Sequence, residues 1–389
     1  MDLNFDDETE QFRAEVRDFL AANRDSFPTK SYDTAEGFAQ HRHWDRVLFD
    51  AGLSVIAWPE RYGGRDATLL QWVVFEEEYF RAGAPGRAST NGTSMLAPTL
   101  FAHGTEEQLD RVLPKMASGE HIWAQAWSEP ESGSDLASLR STATKTDGGW
   151  KLNGQKIWSS RAPFGDRAFG LFRSDPRARR HKGLTYLMFD LKADGVTVRP
   201  ITQLSGDTGF GEIFLEDVFV ADNDVIGTVH EGWRAAMSTS SNERGMSLRS
   251  PARFLAPAER LVSVWKSNPD PAFTDRVADA WIKAQAYRLH TFGTVTRLAR
   301  GGQLGAESSV TKVFWSDLDV ALHQTALDLA GADGELVDFS GREDDTTSWT
   351  DGLLFALGGP IYAGTNEIQR NIIAERLLGL PREPAGKTT

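Results

Sequence analysis

Residues 148–160 read GGWKLNGQKIWSS. The stretch predicts a strand, a tight turn at Asn153–Gly154 and a second strand. Four later segments share its composition and length: RAFGLFRS (167–174), KGLTYLMFDL (182–191), VTVRPI (196–201) and GEIFLEDVFV (211–220). Gly, Pro and Asp clusters separate them. Residues 121–230 therefore read as an antiparallel β unit.

The period is helical on both sides of this unit. Upstream, residues 7–23 place Phe12, Val16, Phe19 and Leu20 on one face. Residues 69–85 form a second helix stopped by Gly83 and Pro85. Residues 105–121 form a third, opened by a Thr105–Gln108 capping box. WPERYGG (58–64) is a turn-rich loop. Downstream, residues 232–265, 273–299 and 307–331 predict long helices, and 333–349 an exposed acidic loop. Residues 360–383, PIYAGTNEIQRNIIAERLLGLPRE, predict a final helix. Asn366 and Gln369 suggest its capping box. Ile368, Ile372, Ala374, Leu377 and Leu378 give an apolar face, and Gly379 and Pro381 the stop. The predicted organisation is an N-terminal helical domain (1–120), a middle β domain (121–230) and a C-terminal helical bundle (231–389).

Composition narrows the function. The chain has 389 residues and a net charge of −13, which argues against a nucleic-acid partner, since phosphate backbones need a basic face. Cysteine is absent, which removes disulfides, thiolate nucleophiles and Cys-type metal sites. No apolar run approaches the ~20 residues that span a bilayer. The acidic, amphipathic start lacks a signal or transit pattern, so a cytoplasmic protein with no membrane partner is expected. No G-x-G-x-x-G follows a strand, and neither a Walker loop nor a G-x-S-x-G elbow is present. SVTK (309–312) lies mid-helix without companion motifs. HRH (41–43) lacks a third metal ligand and reads as a solvated helix face, so no metal site is expected. The basic loop RSDPRARRHKG (173–183) can be a phosphate site or a soluble hairpin tip.

Two stretches have more chemistry. WSEPESGSD (127–135) offers hydroxyls, a glycine and backbone N–H groups where helices give way to strands. QKIWSS (155–160) sets an indole beside two serines. That pairing suits a planar, hydrogen-bonding ring. The AGT before the last helix suits a polar cofactor edge.

The ordered set WPERYGG, WSEPESGSD, NGQKIWSS, KGLTYLMFDL, EIFLEDVFV, GWRAAM…NERG and AGTNEIQRNIIAERLLGLPR resembles the acyl-CoA dehydrogenase family across nearly the whole chain. The resemblance implies a helical domain, a middle β-barrel and a helical bundle. It implies FAD, and oxidation of an acyl-CoA thioester to the trans-2-enoyl-CoA with electron-transfer flavoprotein or a similar acceptor. By motif position, Trp127 and Ser128 would line the flavin's pyrimidine end. Gly133 and Ser134 would meet the pyrophosphate or pantetheine. Trp158 would cover the ring and Ser160 donate toward N5. Tyr362, Gly364, Thr365 and Glu367 would lie at the flavin and substrate end of the last helix.

Many relatives place the catalytic glutamate in the loop before that helix, where this chain has Ala363. The isovaleryl- and long-chain branches instead carry it on a bundle helix before an arginine. Glu243–Arg244 together with AGT matches that pattern. The resemblance thus implies Glu243 as base, Arg244 as a positioning or substrate-binding residue, and the Ala363 backbone N–H as a donor to the thioester oxygen. The Arg-x-x-Phe-Gly stretch of homotetrameric relatives is missing from VWKSNPDPAFTDRV (264–277), and LAGADGELVD (329–338) departs from the usual adenosine-end segment. Steroid-degrading actinobacterial members combine two different subunits in an α2β2 tetramer. TSSNERG (239–245) and the chain's ending look like that group, so a related partner subunit is expected, with a homo-oligomer as the alternative. Ser240, Ser241 and Gly245 would leave room for a bulky acyl group. The alternatives on the same fold are a flavin oxidase or monooxygenase, and a non-catalytic subunit completing a partner's FAD site.

Overall fold

A computed structural model describes residues 5–244, 250–302, 304–335 and 348–382; the side chains of residues 241–244 lie outside that description. Five helices open the chain: α1 (Asp7–Ala22), α2 (Ala35–Asp50), α3 (Leu69–Arg81), α4 (Ala97–His103) and α5 (Glu106–Ala117). The expected capping box of α5 forms in both directions, Gln108 N–H to Thr105 Oγ1 at 3.2 Å and Thr105 N–H to Gln108 Oε1 at 3.1 Å. Phe12, Val16, Leu20, Trp44, Leu48, Val74 and Tyr79 fill the core between α1, α2 and α3. Within it the Trp44 indole donates to Tyr79 Oη at 2.7 Å. Helix α2 carries His41, which is buried and engages Lys30 O at 3.1 Å and Gly86 O. The expectation of a solvated HRH face fails at that residue, because its ring ties the 30–34 and 84–86 loops together.

Eight strands follow: β1 (Trp123–Ala126), β2 (Thr142–Thr146), β3 (Gly149–Ser160), β4 (Arg167–Arg173), β5 (Leu184–Asp190), β6 (Val196–Ile201), β7 (Phe210–Ala221) and β8 (Val225–Ile226). The ladder runs β6-β7-β3-β2-β4-β5-β8, with β1 on β4. Trp150 and Leu152 of β3, Ile213, Leu215 and Val220 of β7, and Leu187 and Phe189 of β5 share one core, so the sheet wraps over its own inner face. Its outer face packs on α4, α5 and the next helix through Leu100, Leu113, Phe169 and Tyr186. Two pairings are parallel, β1 with β4 and a single step of β2 with β4. That corrects the all-antiparallel expectation.

The quoted stretch does not turn. It is one twelve-residue strand, β3, whose pairing with β7 is broken by two bulges. At the first, Leu152 pairs with Val218 and Gly154 with Leu215, so β7 carries the extra residue. Asp217 takes it up at φ +51°, and Asn153 holds it: Asn153 Nδ2 donates to Asp217 Oδ1, and Asp217 N–H to Asn153 Oδ1, both at 2.9 Å. Asn153 is therefore a cross-strand clamp rather than a turn corner. Gly154 sits at φ +142°, where an added Cβ would fall 2.3 Å from Ser141 Oγ.

The bundle contains α6 (Gly232–Arg244), α7 (Ala252–Ser267), α8 (Thr274–Ala299), α9 (Glu307–Ala330), α10 (Trp349–Ala356) and α11 (Asn366–Ile372). The single helix expected over 232–265 is two. Pro251 stands at the start of α7, where its ring and missing N–H bar a continuous helix. The acidic loop expected over 333–349 is mostly outside the described residues. Phe254, Leu261, Tyr287, Trp315 and Leu322 make the bundle core. Among the described residues no helix is long and apolar enough to cross a membrane.

Gly154→Ala is expected to destabilise the protein by about 1–3 kcal/mol through overpacking. A lowered thermal midpoint checks this, and an unchanged midpoint would contradict the close approach to Ser141.

Candidate functional site

The loop after β1 is fixed from below. Lys156 points inward from β3 and is fully buried. Its ammonium donates to Glu129 Oε1 at 2.8 Å, Leu171 O at 2.8 Å and Trp127 O at 3.3 Å. Glu129 also accepts the backbone N–H groups of Arg140 (2.6 Å) and Ser141 (2.9 Å). Burial alone would raise the Glu129 carboxyl, but the Lys156 charge and these N–H donors hold it below the usual range. Ile157 N–H donates to Ser128 O at 2.9 Å, laying the loop along β3. The loop's far end, Gly133 to Asp135, is exposed.

The second bulge of β3 lies two residues beyond this anchor. Lys156 pairs with Ile213 and Ser159 with Gly211, so β3 carries the extra residue. Trp158 takes it up at φ +57°, a backbone that costs a bulky residue roughly 1–2 kcal/mol. Strict alternation would send residue 158 inward beside 156. The bulge instead turns the indole out, 58% exposed, with its edge on Phe210. Ser159 turns in. Its hydroxyl is buried without a hydrogen-bond partner among the described residues. Ser160, the expected donor, is half-buried, and its carbonyl accepts from Asn91 Nδ2 at 3.2 Å. An outward indole followed by the half-buried Ser160 fits a planar heteroaromatic group such as a flavin. Sequence reading missed Ser159 because nothing in the sequence announces a bulge.

Trp127 leads to α6. Its indole donates to Tyr186 Oη at 3.1 Å; Tyr186 Oη lies 3.2 Å from Thr239 Oγ1, and Thr239 Oγ1 lies 2.7 Å from Thr99 Oγ1. Thr239 is on α6 and fully buried. Ser240 beside it is also buried. Glu243 and Arg244 occupy the last turn of α6, with side chains outside the described residues, as is that of Ser241; Gly245 lies outside them altogether. Helix α6 packs against α4, β5 and α9.

The last loop departs from expectation. Thr365, not Asn366, is the N-cap of α11, accepting from Ile368 N–H at 3.3 Å. Asn366 turns into the bundle instead. Its Oδ1 accepts from Lys312 Nζ at 2.7 Å, and its Nδ2 donates to Asp317 Oδ1 at 3.0 Å. That accounts for the lysine of SVTK as a structural residue. Gln369 is buried, and its Nε2 reaches back to the carbonyls of Ala363 and Gly364, each at 3.2 Å. Ala363 and Gly364 are both left-handed, at φ +56° and +79°, and Ala363 is buried. Tyr362 stacks on Trp315. Glu367 is exposed at the helix start, and its own backbone N–H and the Thr365 hydroxyl hold its carboxyl below the usual range. The apolar face expected of this helix is only partly buried: Ile368, Ile372 and Ala374 are half-buried and Leu377 and Leu378 exposed, whereas Asn366 and Gln369 are covered.

Three family descriptions match in chain order: acyl-CoA dehydrogenase N-terminal domain over residues 6–120, middle domain over 124–218, and C-terminal domain over 230–378. The acyl-CoA dehydrogenase IpdE1 of Mycolicibacterium smegmatis is 38% identical over 399 residues, covering 97% of this chain and 100% of its own. A solved structure described as the Tcur3481-Tcur3483 steroid ACAD matches with a TM-score of 0.85 at 25% identity, over 98% of this chain and 100% of that one. The ChsE4-ChsE5 complex from Mycobacterium tuberculosis matches at 0.82 and 25%, over 98% and 100%.

Lys156→Met, which strands Glu129 in the interior, is expected to cost about 3–5 kcal/mol. Because the folded carboxyl is held low, its contribution is complete above the ordinary glutamate value of 4.5 and is lost as pH falls through the depressed one. Acid unfolding curves of the wild type and Glu129→Gln check this: the substitution should flatten the pH dependence below about 4.5, and parallel curves would contradict it.

Proposed function

The chain belongs to the acyl-CoA dehydrogenase family, and from that membership we propose that it oxidises a bulky, steroid-type acyl-CoA to the trans-2-enoyl-CoA with Glu243 as base and FAD as cofactor. The observation that carries the reading is the buried relay from Trp127 through Tyr186 to Thr239. Residue 243 follows Thr239 by four positions, so the two share a face of α6. That face is already bound to the loop expected to line the flavin. A carboxylate one turn further on would follow the same face of the helix.

Glu243 takes the α-proton, and the charge that develops on the thioester oxygen needs donors. Ala363 is suited to give one. Its left-handed backbone, secured through its carbonyl by Gln369, fixes the direction of its N–H. Bound FAD supplies the two-electron acceptor for the hydrogen leaving Cβ. Trp158 and Ser160 would hold the ring. Trp127 and Ser128 would meet its pyrimidine end, and Thr365 and Glu367 its other edge. Gly133 and Ser134, exposed at the loop end, suit the pantetheine or pyrophosphate. Tyr362, Gly364 and Arg244 would line the acyl end, and small Ser240 would widen it.

A related partner subunit completes the proposal. The Tcur3481-Tcur3483 and ChsE4-ChsE5 structures are each named for two proteins. Leu377, Leu378 and Leu380 stand exposed after α11, as expected of a surface that a partner covers.

Glu243→Gln in the assembled enzyme is expected to cut turnover by at least about 10²–10⁴-fold with flavin still bound. Anaerobic flavin bleaching by a screen of fatty and steroid acyl-CoAs reads this, and undiminished bleaching would place the base elsewhere. The chain purified without a partner is expected to be flavin-poor by absorbance. Full flavin occupancy in the lone protein would overturn the need for a second subunit.

A further inference from the structure

Strand β3 ends between two left-handed residues. Trp158 and Arg161 stand at φ +57° and +71°. Ser159 and Ser160 are held between them. Such backbones persist only where the surroundings over-determine them. The ladder with β7 secures Trp158, but its last pair is Ser160 with Phe210. Arg161 lies one residue past it, so its fastening has to come from elsewhere.

It comes from the N-terminal helical domain. The Arg161 guanidinium donates to Asp33 Oδ1 at 2.6 Å and lies 3.6 Å over the Tyr32 ring. The Arg161 and Asp33 side chains are only 14% and 15% exposed, unlike a solvated surface bridge. The footing is firm. Tyr32 is buried edge-on against His41 of α2, with ring centroids 5.1 Å apart. Thr34, next to Asp33, caps α2 by accepting from Gly37 N–H at 3.1 Å. The turn between β6 and β7 presses on the same carboxylate. A Cβ added at Gly209 would fall 1.8 Å from Asp33 Oδ1, and Thr208 N–H donates to Asp33 O at 3.0 Å. A second acid from that turn, Asp207, accepts from Ser31 Oγ at 3.2 Å. Burial raises the Asp33 carboxyl above its ordinary range; the Arg161 charge opposes this and Asp207 adds to it.

The fastening converges on one peptide. The Ser160 carbonyl accepts from Asn91 Nδ2 at 3.2 Å, and the Arg161 N–H of the same peptide donates to Gly209 O at 2.8 Å. The Arg161 carbonyl then accepts from Gly165 N–H at 2.7 Å. With both ends of that peptide tied, the Cα–Cβ direction of Ser160 is set.

We propose that Arg161, held by Asp33 and Tyr32, is a positioning residue that aims the Ser160 hydroxyl at the flavin. The proposal rests on the flavin reading above. Arg161 acts through the Ser160 peptide and needs no contact with the ring. A misplaced hydroxyl disturbs the ring and the chemical step rather than acyl binding, so the effect falls on kcat rather than KM.

The test compares the assembled wild-type holoenzyme with Arg161→Gly and Asp33→Asn. Glycine accepts the left-handed backbone and so removes the side chain without adding strain. Asparagine keeps the shape of Asp33 and removes its charge. In both variants the visible flavin band and the flavin midpoint potential should shift. Turnover per bound flavin should fall about 10–100-fold with KM for the acyl-CoA kept. The double variant should be no worse than Arg161→Gly alone, because the two residues act as one unit. A wild-type flavin band and kcat in both variants would overturn the proposal. So would a lowered thermal midpoint with kcat and potential per bound flavin unchanged, which would make the pair merely structural. Where Arg161→Gly folds poorly, Asp33→Asn decides by the same criteria. Amide hydrogen exchange over residues 157–162 needs no cofactor. Faster exchange in the variants of a wild type that holds no flavin would keep the fastening and defeat the flavin reading. Unchanged exchange would defeat the fastening itself.

Discussion

The Lys156–Glu129 pair is the contact on which the rest of the site depends. Two opposite charges lie in the sheet interior, 27 residues apart in sequence, with their remaining hydrogen-bonding capacity met by backbone groups. Such a pair adds little net stability over well-packed apolar residues, but losing one member is costly. It therefore acts mainly as a positional lock. It sets the start of the 127–141 loop against β3, and so sets where Trp127 points. Trp127 in turn reaches Tyr186 and α6. The same lysine fixes the phase of β3 just before the strand changes phase at Trp158.

That phase change has a counterpart in the other half of the molecule. Trp158 and Ala363 are both non-glycine residues held left-handed, one in the sheet and one before α11. Each is secured by neighbours: Trp158 by the ladder on both sides of the bulge, Ala363 by the buried Gln369 amide. Backbone strain persists only where its surroundings over-determine it. At Trp158 it exposes a ring that alternation would bury. At Ala363 it fixes a peptide orientation in a residue too small to contribute a side chain to chemistry.

The order of helices, strands and helices was legible because periodicity is a local signal. The bounds of β4 to β7 followed from composition, and the α5 capping box from a four-residue pattern. Three features were not legible. Asn153–Gly154 has the letters of a hairpin turn, yet Asn153 spends its amide on Asp217, 64 residues away. Asn366 has the letters of a helix cap, yet a buried lysine on α9 draws its side chain inward and leaves the cap to Thr365. The orphaned Ser159 hydroxyl depends on a bulge that only the pairing with β7 creates. In each case a distant partner overrode a local preference. Which way a residue within a segment faces was decided by register.

Helix α6 joins these pieces into one argument. Its first turn lies under the basic tip, its middle bonds to the Trp127 relay, and its last turn carries Glu243. A straight helix keeps those three points at fixed spacing. A base at Glu243, as proposed, would therefore be registered against the Trp127 relay. A base in the loop before α11 would be registered only against that loop. Under the proposed roles Ala363 would need only its backbone, since proton acceptor and oxyanion donor would not compete for one residue.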